Sequence, residues 1–428
     1  MRIKSAPFLL AILACVRAAQ AGAPQPFSDD LLLDWDELRS GLREDGIDLR
    51  VGYTSETVTN VQGGDKELWR YADQWTFAAT LDLKRLLGID QAQFRIAITD
   101  RNGRDLSADA HLDDLQQVQE VYGNNETWYL TQFSYDQKYL DGMLDWKIGR
   151  LTEGEDFAAF SCEFLNFTFC GAAPGNIAGG AWYNWPVSQW ATRVKVNLAG
   201  FGYFQLGAFE VNPNYLRTRY ALDLADPPGA SGVLAPLEVG WLPTLGGLGG
   251  SYKLGAWYNT SKAPDVVENT NGEPLALEGG MPLVRHGEYG AYFNFLQRLT
   301  GPAAGDSTRG VRVFLNGVYA DRRTSQLDSQ IAAGAIYNFA SRPNDEVGLA
   351  IGRTHVNSRV ADVEALENAA GRGPVGVQNA EYVGELSYKA QATGWLALRP
   401  DIQYVHDPGG IAKSTDDLVV GLRVSVNF

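Results

Sequence analysis

The residues able to do covalent or metal chemistry are few and scattered. Four histidines are present, His111, His286, His355 and His406, and none has a Ser or Asp neighbour at a suggestive spacing. General-base and nucleophilic catalysis need a base within hydrogen-bond reach of the group it activates. A metal site needs ligands at a spacing such as His-x3-His, which is also missing. The sequence therefore predicts no catalytic residue, no metal and no cofactor. Cys162 and Cys170 lie eight apart, and in a chain that has left the cytosol a disulfide that pins a loop is expected over two free thiols.

What the chain does carry is a set of Arg, Lys and Gln side chains on the polar side of alternating segments. Gln74, Arg95, Gln132, Lys147, Arg193, Lys195, Lys253 and Arg312 are inward candidates, together with Arg150. Such groups offer hydrogen-bond donors and acceptors to a polar solute, and Arg95, Arg150 and Lys195 lead as residues of a constriction. Arg104 and Asp105 are candidates for a pair that positions a loop. Every one of these also fits a structural ion pair that never meets a solute, and the sequence leaves that open.

The elements that must hold these residues follow from composition and periodicity. The 428 residues are 45% hydrophobic and 11% aromatic, with a formal charge of −15. Plentiful aromatics exclude disorder, and the acidic balance excludes a nucleic-acid binder, which needs clustered Lys and Arg. Residues 1–21 read as a secretory signal: Arg2 and Lys4, an apolar run Ala6 to Val16, and cleavage after Ala21 or Ala23. Beyond it no stretch of about 18 apolar residues exists to form a transmembrane helix. A helical period appears only in the leading segment 24–47, where Leu32, Trp35, Leu38 and Leu42 recur behind an N-cap at Ser28. That helix is expected in the periplasm, at the mouth of the fold or plugged into it.

From residue 48 to 428 the period is two. The last segment sets Leu418, Val420, Leu422, Val424, Val426 and Phe428 against Val419, Gly421, Arg423, Ser425 and Asn427. Sixteen such segments are expected, at 48–60, 71–83, 92–101, 127–135, 143–150, 189–198, 201–210, 233–242, 251–260, 288–299, 309–321, 329–340, 345–355, 380–391, 395–406 and 415–428. Links after even segments are short, and the long ones (102–126, 151–188, 211–232, 261–287, 356–379) all follow odd segments. All long loops then share one face, as in outer-membrane barrels with short periplasmic turns and long external loops. The fold class is all-β: a single closed antiparallel transmembrane β-barrel of about 16 strands with a short N-terminal helix. Hydrocarbon satisfies no backbone polar group, so only helices or closed barrels cross it.

Aromatics near segment ends, Tyr53, Trp75, Trp128, Tyr129, Trp146, Trp241, Tyr258, Trp395 and Tyr404, suit interfacial girdles. A barrel of this size is too wide for side chains to fill, so a water-filled channel narrowed by an inserted loop is expected. The candidate is 151–188, the longest link and the one that holds both cysteines, with a solvent-facing lid as the other reading. The inward set is basic, so most acids are expected on the loops, among them Glu120, Glu153 and Asp156.

The order of short motifs resembles a known family. Trp35-x-x-Leu38-Arg39, Gly46-Ile47, Asn60, Gly63-Gly64, Asp82-Leu83 and Gly103-Arg104-Asp105-Leu106-Ser107 come first. Ile148-Gly149-Arg150-Leu151, Gly154-x-Asp156-Phe157, Cys162-x-Phe164-x-Asn166, Cys170-Gly171, Glu210-x-Asn212-Pro213 and the run Tyr252 to Asn259 follow. In this order, with the paired cysteines, the chain is similar to the carbohydrate-selective porins of the OprB family. The resemblance implies a Gram-negative outer-membrane pore for passive, facilitated diffusion of glucose and related sugars. The partners expected are carbohydrate solutes, outer-membrane lipid and lipopolysaccharide, and the barrel-assembly machinery, for which the terminal Phe428 resembles a recognition signal. A porin for other small, anionic solutes is the alternative, because Arg-lined pores favour anions. A barrel enzyme and an adhesive barrel are further alternatives, and self-association stays open.

Overall fold

In the computed structural model, residues 33–428 are described apart from 125, 226 and 303–308. The strands form one antiparallel sheet closed on itself. Its barrel strands are β1 (Ile47–Gln62), β2 (Trp69–Asp82), β3 (Ala92–Gly103), β4 (Trp128–Tyr139), β5 (Leu144–Leu151), β6 (Gln189–Leu198), β7 (Gly202–Val211) and β8 (Gly232–Trp241). They continue with β9 (Leu248–Asn269), β10 (Pro282–Arg298), β11 (Gly310–Ala320), β12 (Leu327–Asn338), β13 (Glu346–Val356), β14 (Ala380–Gln391), β15 (Leu396–His406) and β16 (Asp417–Asn427). A two-residue stub, Thr244–Leu245, pairs with the start of β9. Closure is made by β1 on β16, from Gly52 opposite Asn427 to Thr59 opposite Val420, so no strand edge is left open to lipid.

All sixteen expected strands are present, and the long connections follow odd strands. One expected loop is corrected. The segment 261–287 is largely strand, because β9 runs on to Asn269 and β10 begins at Pro282. The extra nine residues of β9 carry the hairpin about 30 Å further at the usual rise per residue. Alternation did not reveal this part because both of its faces meet water or other loops. Its order comes from ions instead: Arg285 and Arg359 both bind Asp265 and Glu268, at 2.7 to 3.1 Å.

Alternation decides which side chains meet lipid. On β13, Leu349 and Ile351 are 57% and 64% exposed while Ala350 between them is 1% exposed. Leu206, Leu237, Leu254, Leu315, Ile331, Leu386 and Ile402 repeat the pattern around the barrel. An apolar outer band of this kind belongs in hydrocarbon. Trp128, Trp241, Tyr258 and Tyr404 are exposed on that surface, as interfacial residues require. Tyr129 is not a girdle residue. It is 1% exposed and packs with Tyr183, Val187 and Tyr215 where the connections after β5 and β7 meet the barrel rim, since it neighbours Trp128 and a strand cannot point both outward.

The leading helix spans Leu33–Glu44 and lies at the rim of the barrel formed by the start of β1, the turn after β2 and the end of β16. Arg39 donates to the backbone carbonyl of Phe428 at 2.7 Å, and Arg43 pairs with Asp48 at 2.9 Å. Arg85, on the turn after β2, donates to the Arg43 carbonyl at 3.2 Å. The signal segment with its cleavage site and the N-cap Ser28 lie outside the described residues.

Candidate pore and constriction

The connection 152–188 turns into the barrel and crosses it. Its aromatic residues would be stranded in water on the outside; inside, Phe157, Phe164, Phe169, Trp182 and Tyr183 are all at most 2% exposed. Polar posts on the far wall receive its backbone. Glu238 on β8 accepts from Ala158 N at 2.8 Å and from the Tyr203 and Tyr292 hydroxyls at 2.7 and 2.8 Å. Glu385 on β14 accepts from Leu165 N and Asn166 N at 2.7 and 2.9 Å, and Gln403 on β15 takes the Asn166 amide at 3.0 Å. Lys253 donates to Ala159 O at 2.6 Å, and Arg312 pairs with Glu163 at 2.7 Å. Arg423 donates to the carbonyls of Cys162 and Phe164 at 3.3 and 3.0 Å. A Cys162–Cys170 disulfide closes the segment between these posts.

A second insertion went unread in the sequence. The connection 104–127 also folds inward, with Leu106, Val118 and Gln119 fully buried. Glu56 accepts from Val121 N, Glu381 accepts from Leu115 N, and Gln403 donates to Val118 O. The two loops interlock through Glu120 N to Leu165 O at 2.9 Å and Phe167 N to Gln117 O at 3.0 Å. Leu106, Leu112, Val118 and Val121 were the available signal, masked by the acids between them.

Two adjoining cavities of about 760 and 530 Å³ open toward the end of the barrel that carries the short turns after β2 and β4 and the leading helix. These fall in the ~300–1,000 Å³ range of small-molecule sites. Both are lined by Asp82, Gln93, Arg95 and Glu155, the larger also by Lys147, Arg193, Asp136, Asp145 and Asp156, the smaller by Gln132 and Trp185. Charges on this wall come in pairs. Arg95 faces Asp136 at 3.0 Å, Lys147 meets Asp156 at 2.9 Å, and Arg193 bridges Asp145 at 3.0 Å and Asp156 at 3.4 Å. Burial pushes the Asp156 carboxyl up, but Lys147 and Arg193 outweigh it and hold the group below the ordinary carboxylate range.

The sequence-derived residues divide by location. Arg95, Gln132, Lys147 and Arg193 line the cavities. Gln74 stands behind them, its Oε1 accepting from Trp185 Nε1 at 3.1 Å and Arg101 Nε at 2.8 Å. The Lys195 ammonium sits 4.0 Å over the Tyr203 ring. Lys253 and Arg312 are occupied as loop posts.

Three readings are corrected. Arg150 does not reach the channel: it pairs across the sheet with Phe133 and lies three residues from inward Lys147, so alternation puts it on the other face. There it is 1% exposed beneath the loop after β7, donating to Ser188 O and Asp223 O at 2.8 and 2.6 Å over the Tyr215 ring. Arg104 and Asp105 do not bond one another. Arg104 and Arg70 clamp Asp109, while Asp105 caps a short helix through Ser107 N at 3.0 Å. The lumen is not simply basic either, since Glu56, Asp136, Glu238, Glu346, Glu385 and Asp401 are all buried on its wall. Glu120, Glu153 and Asp156 belong to connections, as expected, but these connections sit inside the barrel.

Comparison with known proteins gives a consistent set of likenesses. Residues 66–428 match the model of the family described as "Carbohydrate-selective porin, OprB family". The chain is 39% identical to Porin B of Pseudomonas aeruginosa over 98% of its length and 96% of that protein. It is 33% identical to the putative porin QuiX of Acinetobacter baylyi, covering 97% of this chain and 99% of that one. The high-pH structure of Pseudomonas putida OprB superposes with a TM-score of 0.89 at 40% identity, covering 95% of this chain and all of that one.

Proposed function

The chain belongs to the OprB family of carbohydrate-selective porins, and from that premise we propose that glucose and related sugars diffuse passively through its lumen. It is an outer-membrane β-barrel porin, a channel rather than an enzyme by its family and its relatives. The observation that carries the sugar reading over the anionic one is charge balance. The larger cavity has Lys84, Arg95, Lys138, Lys147 and Arg193 against Asp82, Asp136, Asp141, Asp145, Glu155 and Asp156. A neutral polyol finds both donors and acceptors on such a wall, while an anion gains no net attraction. Trp185 adds an apolar ring face for the C–H side of a pyranose.

In this reading Arg95, Lys147, Arg193, Gln132 and Trp185 contact the sugar at the constriction, with Gln74 and Lys195 flanking it. The inserted loop 151–188 sets the width, and its disulfide and wall anchors keep that width constant. Phe428 serves as the assembly signal, and the outer band engages lipid and lipopolysaccharide. Liposome swelling with glucose, other hexoses and gluconate tests the proposal. Glucose should enter faster than gluconate of nearly equal size; faster entry of gluconate would favour an anion porin instead.

A further inference from the structure

On the lipid-facing surface, away from the channel cavities, a guanidinium stands without a counter-charge. Arg353 follows Leu349 and Ile351 on the outward face of β13. Its cross-strand neighbours are Ile331 of β12 and Tyr382 of β14, both exposed. Among the described residues its side chain makes no ion pair and no hydrogen bond. On the inner wall, by contrast, Arg95, Arg193, Arg312, Arg399 and Arg423 each meet a carboxylate within 3.0 Å. The basic neighbours of Arg353 are paired as well: His355 and Arg322 with Asp328, at 2.7 and 3.3 Å, and Arg323 with Asp321 at 2.6 Å.

Arg353 also interrupts the aromatic ring at the end of the barrel that carries the long loops. Tyr258, Tyr289, Tyr319, Tyr382 and Tyr404, on β9, β10, β11, β14 and β15, are 44–50% exposed there. Between Tyr319 and Tyr382 the register sets Ser329 of β12 opposite Tyr319 and His355, with Arg353 two residues nearer the membrane centre on the same face. Neighbouring strands lie about 4.8 Å apart, so the two tyrosines stand roughly 14 Å from one another across a notch floored by a small hydroxyl and a guanidinium. A guanidinium at the edge of the hydrocarbon is tolerated where its charge reaches the headgroups. There its planar fork favours a phosphate, bound through parallel hydrogen bonds. Long loops face the exterior in barrels of this class, so the headgroups within reach are those of the outer leaflet. We propose that this notch binds a phosphorylated glycolipid of the outer leaflet, with Arg353 on its phosphate and the Tyr319 and Tyr382 rings beside its sugar. The assignment deepens, and rests on, the contact with lipopolysaccharide proposed for the outer band. On β3 the outward face is unsuited to an anion, because Asp100 stands there between Trp75 and Trp128.

The test is native mass spectrometry of the folded porin in a polyoxyethylene detergent. It is titrated with diphosphoryl lipid A, with the same lipid stripped of both phosphates, and with inorganic phosphate. The parent should hold diphosphoryl lipid A about tenfold more tightly than the dephosphorylated lipid, as a charge-assisted hydrogen-bond pair requires. Arg353→Gln should lose that preference, Arg353→Lys should keep part of it, and Asp100→Asn should bind like the parent. Equal binding of the two lipids by the parent, or a preference that Arg353→Gln retains, would overturn the proposal. Inorganic phosphate bound as tightly as diphosphoryl lipid A would make this a free-anion site and overturn it too. A parent that binds neither lipid fails the lipopolysaccharide reading of the outer band as well, whereas binding indifferent to phosphate or to Arg353 fails this assignment alone.

Discussion

Replacing Arg423 by Met removes the post on which both inserted loops converge. The guanidinium is 8% exposed and lies 2.6 Å from Glu56, itself fully buried; it also binds Glu120 and the carbonyls of Cys162 and Phe164. Met fills similar space but leaves the Glu56 charge buried and unanswered, which costs about 3–5 kcal/mol. Two loop carbonyls lose a charged donor as well, worth about 1–3 kcal/mol each. The backbone ladders of β1 and β16 are untouched, so the cost falls on loop docking rather than on barrel closure. Weakening docking by about 3 kcal/mol raises the undocked population about a hundredfold. Arg423→Met should therefore show increased open-channel current noise and faster proteolysis within 104–127, with unchanged heat-modifiable gel mobility. Adding Glu56→Gln should restore part of the loss, because the stranded charge is then gone. Parental noise and protease resistance in Arg423→Met would refute the role of this post.

Further expectations are as specific. Arg193→Ala removes one of the basic groups on the larger cavity and should shift ion selectivity toward cations. Arg150→Ala should leave selectivity unchanged and instead loosen the loop 212–231, by about 1–3 kcal/mol for its stranded carbonyls. Replacing Cys162 and Cys170 by Ser frees a short closed segment, removing about 2–3 kcal/mol of restraint. Current noise should rise while the barrel stays folded; an unchanged trace would mean that the wall posts suffice. Asp109 is held below its ordinary 3.8 by bonds from Arg70 and Arg104. A depressed carboxylate stabilises the fold above its unfolded value and loses that contribution as pH falls through the folded one. The 104–127 loop should thus stay protease-resistant down to about pH 4 and open only below it; opening at neutral pH would contradict this clamp.

The barrel was legible because lipid enforces period two: each spanning residue meets either hydrocarbon or the lumen, and a one-residue error exposes a polar group. The same rule, applied strictly, would have excluded Arg150 beside Lys147 and Tyr129 beside Trp128. It becomes silent where both faces are wet, and so the β9 and β10 extensions read as loop. The cysteine pair pointed to the first inserted loop. Nothing comparable marked 104–127, whose buried leucines and valines are interspersed with acids, one of which, Glu120, pairs with Arg423 inside the barrel. Glu385 lay on the polar parity of its strand and was legible as inward, but its role as a loop post was not, because its partners Leu165 N and Asn166 N are backbone groups with no side-chain signature in the sequence.

The central claim, a charge-balanced pore that passes sugars across an inserted loop, is tested most directly by single-channel current under glucose titration in a planar bilayer. Sugar held by the paired donors and acceptors around Arg95, Lys147 and Arg193 should reduce the ion current in a saturable, concentration-dependent way, with weak selectivity between anions and cations. A current indifferent to glucose and larger sugars, together with strong anion selectivity, would contradict it.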